Sequence, residues 1–292
     1  MRLNQSPVTK YLRTLLLLGR VSNLPTVWSN CLAGWLLGGA GALDTLAVLG
    51  VGATLLYLAG MFLNDALDVQ FDHRHRPERP IPSGAIREGA VWQWGLSFLV
   101  LGFFLLSSLG RMTTVFTILL SASLLIYDMV HKVFALSPLL MAACRFFLLL
   151  AAASCGSNGV TGLALWSALV LASYIVGLSY LARREHILHS LRYWPCLFLA
   201  APILLSLIVN RGVYQTRGVL FAILLGLSVL KSLQHTYWSP QRNVGRSVSG
   251  LLAGIVFVDL LAIAGGGSHL ITLLFLGLFA LARLFQRFIP AT

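Results

Sequence analysis

Long apolar segments recur from one end of the chain to the other, and they restrict the possible folds more than any other feature. A helix needs roughly 20 mostly apolar residues to cross the hydrocarbon core of a membrane. Only helices and closed barrels cross it, because unpaired backbone groups are costly in lipid. The segments are continuous rather than alternating, which argues against a barrel. The sequence therefore predicts an all-α polytopic transmembrane bundle, with one integral-membrane domain covering residues 1–292.

Ten segments are candidate spans. Charged residues make up only 10% of the chain, whereas about a quarter of the residues are charged in a typical soluble domain. The seventh and eighth segments are short and could form one broken or partly interfacial element, so nine and ten spans both agree with the sequence. The candidate spans are 14–38, 45–63, 89–109, 112–130, 138–154, 161–181, 194–209, 217–233, 248–265 and 269–287.

The basic residues are unevenly distributed along a chain of net charge +12. All but four of the 21 Lys and Arg residues fall in the N-terminal segment, the even-numbered loops or the C-terminal tail. Because short positive loops stay on the cytoplasmic side, we expect both termini and the loop after Asn64 to be cytoplasmic, in the plasma (inner) membrane of a prokaryote. The positive charge is therefore a topology signal. We expect the lipid bilayer, anionic lipid and phosphate as partners, and we do not expect the protein to bind nucleic acid.

The stretch NDALDVQFD at residues 64–72 concentrates oxygen side chains at the end of the second candidate span, although the chain has only nine Asp and Glu residues. If the helix continues through residue 72, one amide and three carboxylates share a face, within about 100° of one another. Such oxygen ligands suit Mg²⁺, which usually takes one or two carboxylates together with waters and substrate phosphates. The predicted metal ligands are Asn64, Asp65, Asp68 and Asp72.

The arginines that follow, Arg76 and Arg79, can hold phosphate oxygens through forked hydrogen bonds. A cation site beside these arginines predicts a diphosphate-binding site that opens on an apolar interior. The alternative is an ordinary solvated loop whose charges pair with one another, since such ion-pair networks imitate functional sites. The alignment of four oxygen side chains on one face favours the site.

Several motifs together resemble the UbiA superfamily of intramembrane prenyltransferases. In that family, N-D-x-x-D-x-x-x-D is followed by an Arg-Pro-rich loop ending in P-x-S-G, and this chain has NDALDVQFD and then RPERPIPSG. The segment RVSNLPTVWSN at residues 20–30 resembles the first-helix R-x-x-N signature. The segment YDMVHK at residues 127–132 resembles the tyrosine-to-lysine motif between spans four and five. The resemblance runs through most of the chain and weakens after residue 195.

The resemblance implies a helical bundle with a cytoplasmic polar cap over a lipid-open cavity. Mg²⁺ and cationic side chains would stabilise the leaving diphosphate, so that the C–O bond ionises to an allylic cation shielded from water. The residues that it implies as catalytic are Asp68, Asp72, Lys132 and Glu185. Those expected to bind the diphosphate are Arg20, Asn23, Arg76, Arg79, Lys132, Arg145, Arg183 and Arg184.

The second aspartate-rich motif of the family is not present between spans six and seven. The segment SYLARREHILHS at residues 179–190 has one acid, Glu185, and its spacing from His189 could make an acid–base pair or a weaker metal site. The alternative is a positive turn that only fixes topology. Arg183 and Arg184 could take over the role of one metal ion.

Arg145 lies inside the fifth candidate span, where an ionisable residue suggests a functional site by default. The alternative is a buried structural pair with Asp128 or Asp259. The leading functional prediction is Mg²⁺-dependent transfer of an isoprenyl group from a prenyl diphosphate to a lipophilic acceptor. Two alternatives stay open: a terpene cyclase of the same superfamily that needs no acceptor, and a non-catalytic carrier or transporter of prenyl lipids.

Overall fold

The computed structural model describes residues 7–132, 134–183, 193–239, 241–266 and 268–291, and every regular element within these ranges is helical. Two short 3₁₀ turns, Val21–Asn23 and Gly212–Tyr214, separate some of the α-helices. The helices are α1 (Pro7–Leu18), α2 (Leu24–Leu37), α3 (Leu43–Leu67), α4 (Val69–His75), α5 (Glu88–Ser107), α6 (Arg111–Val130), α7 (Ser137–Ser154), α8 (Gly162–Ala182), α9 (Trp194–Val209), α10 (Gln215–Tyr237), α11 (Val244–Ala262) and α12 (His269–Phe285).

The helix lengths confirm the predicted polytopic bundle. In the described ranges, seven helical segments are long and apolar enough to cross a membrane, and α9 and α12 are shorter apolar helices. Together with the bent pair α1 and α2, they agree with nine to ten spans. The seventh and eighth candidate spans are separate helices, α9 and α10, joined by the second 3₁₀ turn.

The helices pack in a ring, in which most helices contact the next one along the chain and α12 returns to α2. Among the seven long spans, α11 is the most enclosed, with 67% of its most apolar stretch buried, whereas only 22% is buried in α5. Side chains such as Phe104, which is 66% exposed, therefore lie on the outer surface of the ring. An apolar outer surface of this kind is the one a bundle presents to lipid.

The predicted first span, 14–38, is broken near its start. Helix α1 ends at Leu18, and Arg20 adopts a left-handed conformation with φ 40° and ψ 48° before α2 begins at Leu24. This conformation is unfavourable for a residue with a Cβ atom, and the Tyr57 hydroxyl of α3 supports it by donating a 3.1 Å hydrogen bond to the Arg20 carbonyl. The break brings the Arg20 side chain to the end of α3.

The second predicted span keeps its helical register beyond its end. Helix α3 ends at Leu67, Asp68 forms its C-cap, and α4 follows at once. The backbone amide of Asp68 donates to the backbone carbonyl of Asn64 at 3.0 Å, and that of Asp72 donates to the backbone carbonyl of Asp68 at 2.9 Å. These bonds have the i to i−4 spacing of a helix, so the oxygen side chains at positions 64, 65, 68 and 72 stay together. We call this end of the bundle the polar end.

Candidate active site

Two of the carboxylates predicted as metal ligands share one arginine. Asp65 and Asp72 are 6% and 2% exposed, so water does not solvate these carboxylates and each needs a partner in the protein. The Nη1 atom of Arg79 lies 2.9 Å from Oδ1 of Asp65 and 3.2 Å from Oδ2 of Asp72. Arg20 approaches the same Oδ1 atom of Asp65 at 3.5 Å. The Arg-Pro-rich loop therefore folds back onto the helix that precedes it.

Asp68 is held by the loop that follows α6. Lys132 Nζ lies 2.7 Å from its Oδ1 atom and His131 Nε2 lies 3.4 Å from its Oδ2 atom. Burial acts to raise the pKa of Asp68, but the hydrogen bonds and charges of His131 and Lys132 outweigh it and keep that pKa below its ordinary value. Lys132 also lies over the Phe71 ring, 4.1 Å from its centroid.

Asp128, in the last turns of α6, joins the cluster through Asn64. The Asn64 amide donates a 3.2 Å hydrogen bond to Oδ1 of Asp128, and both residues are buried. Burial acts to lower the pKa of the neighbouring His131. The hydrogen bond and the negative charge of Asp68 together outweigh burial, so the pKa of this histidine lies above its usual value. The Asn64 amide therefore ties α3 to the Asp128 carboxylate, and His131 lies between the Asp68 carboxylate and the backbone carbonyl of Asp128.

The donor set of this cluster fits Mg²⁺. It consists of carboxylate and amide oxygens, which are the ligands that a hard cation prefers. Oδ1 of Asp72 and Oδ2 of Asp128 are buried, and neither has a hydrogen-bond partner within the described part of the chain. No three Asp, Glu, His or Cys side chains among the described residues converge closely enough to enclose a metal unaided. A metal at this cluster would therefore need further ligands from water or substrate phosphate.

Other residues predicted to bind the diphosphate lie in several places. Arg76 is the half-buried C-cap of α4, close in sequence to Arg79. Asn23 donates to the carbonyl of Ala291 at 3.0 Å, which ties the start of α2 to the C-terminal segment. Arg183 Nη1 donates to the carbonyl of Ala135 at 2.7 Å and to further oxygens of the same loop before α7. Arg184 and Glu185 lie outside the described residues.

Arg145 is placed deeper in the bundle and bound to α2. Its Nη1 atom donates to the Thr26 carbonyl at 3.0 Å and to Oδ1 of Asn30 at 2.6 Å, and Nη2 donates to the Thr26 hydroxyl at 2.9 Å. The Asn30 amide donates in turn to Oδ2 of Asp259 at 2.7 Å. The sequence offered Asp128 and Asp259 as structural partners of Arg145. Asp259 is the one linked to Arg145, by hydrogen bonds through Asn30.

Sequence reasoning missed Asp128 and His131 as members of the site. Asp128 was considered only as a possible partner of Arg145, and His131 was not considered. The signal was available in YDMVHK, because Asp128, His131 and Lys132 are spaced so that they share one side of a helix end.

The fold and the cluster define a class: a helical membrane protein with carboxylates and cations alternating at one end of its bundle. The chain belongs to the UbiA prenyltransferase family, whose pattern it matches over residues 23–290. Among curated relatives, it is 37% identical over 91 residues to a 4-hydroxybenzoate octaprenyltransferase of Pectobacterium atrosepticum, covering 30% of this chain and 31% of the relative. It is also 44% identical over 48 residues to a digeranylgeranylglyceryl phosphate synthase of Methanoregula boonei, covering 16% and 17% of the two chains. The matches thus span under a third of either relative.

Solved structures share the fold over most of the chain. A UbiA homologue from Aeropyrum pernix, solved without ligand, has a TM-score of 0.64 at 18% identity, covering 84% of this chain and 96% of the homologue. A UbiA homologue from Archaeoglobus fulgidus bound to GPP and Mg²⁺ has a TM-score of 0.55 at 15% identity, covering 96% and 97%. At these identities the likeness establishes the fold alone.

Proposed function

We propose that this protein is a Mg²⁺-dependent prenyltransferase that moves an isoprenyl group from a prenyl diphosphate to a lipophilic acceptor in the membrane. The observation that carries the proposal is the cluster of buried carboxylates Asp65, Asp68 and Asp72, interleaved with Arg79 and Lys132, at the end of an apolar bundle. Family membership supports it, as does the structural neighbour bound to GPP and Mg²⁺.

Asn64, Asp65, Asp68 and Asp72 are the proposed metal ligands, with the partnerless oxygen of Asp72 as an available coordination point. Bound Mg²⁺ supplies positive charge that stabilises the departing diphosphate. The chain's own cations add to this. Arg79 and Lys132 hold carboxylates when no substrate is present, and the phosphate oxygens of a diphosphate compete for the same N–H groups.

The proposed reaction breaks the bond between the allylic carbon and the diphosphate oxygen, which keeps the electron pair and leaves as pyrophosphate. The resulting carbocation bonds to the acceptor, and the acceptor loses a proton. Burial of the cluster excludes the water that would otherwise capture the cation. The lipid-open cavity in which this would take place remains a prediction from the family resemblance.

The other residues proposed to bind diphosphate lie partly beside the cluster and partly elsewhere in the bundle. Arg20 and Arg76 lie beside the cluster or in its loop. Asn23, Arg145 and Arg183 are engaged with other parts of the bundle, so a role in binding diphosphate requires them to exchange partners. For Arg184 and Glu185 the assignments stay as the sequence predicted them.

The protein is a multi-pass membrane protein. We propose that its polar end faces the cytoplasm from the inner membrane of a prokaryote, because the basic loops lie at that end. We further propose that residues 1–292 act as one domain, since the ring of helices closes by contacts of α12 and α11 with α2.

The test of acceptor use is product analysis with labelled GPP. Purified protein is incubated with Mg²⁺ and GPP, with and without lipids extracted from its host membrane, and compared with an Asp68→Asn variant. A prenylated lipid that forms only with extract and only with the unaltered protein supports the transferase. Pyrophosphate release without extract, yielding a cyclic hydrocarbon, would establish the cyclase instead. GPP that binds and is recovered intact in both arms would establish a carrier.

A further inference from the structure

A cationic cleft lies outside the aspartate cluster, at the polar end of α10, α11 and α12. Its volume is about 320 Å³, and none of the residues that line it belongs to the cluster of Asp65, Asp68 and Asp72. Helix α11 packs against both α10 and α12, so its side chains form the floor. The basic residues that line the cleft are Lys231 and His235 of α10, Arg246 of α11 and Arg283 of α12.

The positive charge of this cleft has no counter-charge nearby. From residue 186 to the C-terminus, Asp259 is the only acidic residue, and it is buried against Ser29 and Asn30 of α2. Within the described part of the chain, the side chains of Lys231, His235 and Arg246 make no ion pair or hydrogen bond. Concave basic surfaces without internal acids concentrate anions.

Arg283 is held in position by the neighbouring helix. Its Nη1 atom donates to Oε1 of Gln286 at 3.0 Å, and the Gln286 amide donates to the carbonyl of Ser249 on α11 at 2.9 Å. These bonds link the end of α12 to the start of α11 and orient one face of the guanidinium group. A pre-positioned arginine loses less freedom when it binds an oxyanion than a mobile one.

The other lining residues make the cleft apolar away from its charged rim. Leu224 lies seven residues before Lys231 on α10 and is therefore about 10 Å further from the polar end. The rings of Phe257 and Phe279 lie beneath the rim, with centroids 4.2 Å apart. Further from the polar end, Leu220 and Ile223 of α10 are 53% and 52% exposed, so exposed apolar surface continues below the cleft.

A phospholipid has a charged headgroup at the membrane interface and apolar acyl chains below it, and the cleft offers a matching surface to each part. We propose that this cleft binds one anionic phospholipid, a phosphate-bearing glycerolipid of the surrounding bilayer, with its phosphate between Lys231, Arg246 and Arg283 and its acyl chains along α10. The geometry selects a lipid over a small anion because the cleft continues into exposed apolar surface, which a free phosphate cannot cover. This site is additional to the proposed prenyl-diphosphate site.

The test is retention of lipid by the full-length protein in native mass spectrometry. Detergent-purified protein is exposed to equal amounts of dioleoyl phosphatidylglycerol and dioleoyl phosphatidylcholine. We expect preferential retention of one phosphatidylglycerol, and about tenfold weaker retention in the double variant Lys231→Gln, Arg283→Gln, since each basic residue contributes to anionic-lipid binding at the membrane surface. The matched control, Arg242→Gln with Arg287→Gln, removes the same charge outside the cleft and should retain the lipid as the unaltered protein does.

Competition separates the lipid from a small anion. Millimolar inorganic phosphate or glycerol 3-phosphate should leave the bound phosphatidylglycerol in place, because neither fills the apolar part of the cleft. Displacement by either one, dependent on Lys231 and Arg283, would overturn the assignment to a lipid. Equal retention of phosphatidylcholine, or an equal loss of phosphatidylglycerol in the control variant, would overturn the site itself. Circular dichroism and thermal unfolding of all variants check that the fold is unchanged.

Discussion

Asp68 connects the two halves of the candidate active site at the scale of single residues. It caps α3, and it receives Lys132 and His131 from the loop after α6. Its carboxylate is thus fixed between the end of α3 and the end of α6 before any substrate binds. Preorganised charge of this kind contributes more to catalysis than charge that must first be ordered.

Replacing Asp68 with Asn keeps its size and removes its charge. We expect kcat/KM for GPP to fall by about 10²–10³, the usual effect of removing one preorganised electrostatic group. The matched control is Asp44→Asn at the opposite end of the same helix, where the carboxylate is exposed and bonds only to Thr45 among the described residues. Equal activity losses in the two variants would show that Asp68 has no special role.

Arg79 connects two other carboxylates of the cluster, because its guanidinium group bridges Asp65 and Asp72. Both contacts come from Nη1, so the other N–H groups of Arg79 are left for phosphate oxygens. Lysine carries the same charge but lacks these additional donors, so Arg79→Lys should raise KM for GPP roughly tenfold. Initial rates at varied GPP measure this. Arg87→Lys is the control, since Arg87 is an exposed residue at the start of α5. An unchanged KM in Arg79→Lys would contradict the bridging role.

At the scale of helices, hydropathy predicted the spans, whereas the contacts between helix ends could not be derived. Continuous apolar runs mark each span individually, but the approach of Asp128 to Asn64 depends on how α6 packs against α3. The left-handed Arg20 was also unpredictable, because arginine gives no local signal for that conformation. The register of positions 64–72 was predictable, since i to i−4 bonding continues across the junction.

Close packing of α2 on α7 depends on Gly34. A Cβ atom at this position would lie 2.5 Å from the Leu149 carbonyl oxygen and 2.6 Å from the Ala152 Cβ. Gly34→Ala should therefore destabilise the protein by about 1–3 kcal/mol through overpacking. Gly50→Ala in α3 is the control, because its Cβ would meet no atom within 4 Å and alanine favours the helix. Thermal unfolding in detergent distinguishes them; equal melting temperatures would refute the packing argument.

Three helices are joined by the polar chain from Arg145 through Asn30 to Asp259. Arg145→Met should destabilise the bundle by about 3–5 kcal/mol, because it leaves buried acceptors on α2 and an uncompensated acid on α11. Adding Asp259→Asn should restore part of that loss by removing the acid. Thermal unfolding of the two single variants and the double variant tests this. If the double variant loses the sum of both single losses, the two charges are not coupled.

For the whole molecule, the charged groups of the candidate active site and of the basic cleft lie at one end of the apolar ring, whereas Arg145 and Asp259 lie inside it. The carboxylates of the candidate active site and the basic cleft of α10–α12 are both found at the polar end, while α5 and α10 present mostly apolar surface outward. This arrangement would let one part of the polar end hold the proposed metal and diphosphate while another contacts the proposed lipid.

The proposed function requires the aspartate cluster to ionise a prenyl diphosphate with the help of Mg²⁺. Its most direct test is pyrophosphate release from GPP by purified protein supplied with host membrane lipids, measured while Mg²⁺ is titrated and then removed with EDTA. We predict release that saturates with Mg²⁺, stops with EDTA, returns when Mg²⁺ is restored, and is lost in Asp68→Asn but not in Asp44→Asn. Release that continues without divalent metal, or that Asp68→Asn leaves unchanged, would contradict the claim.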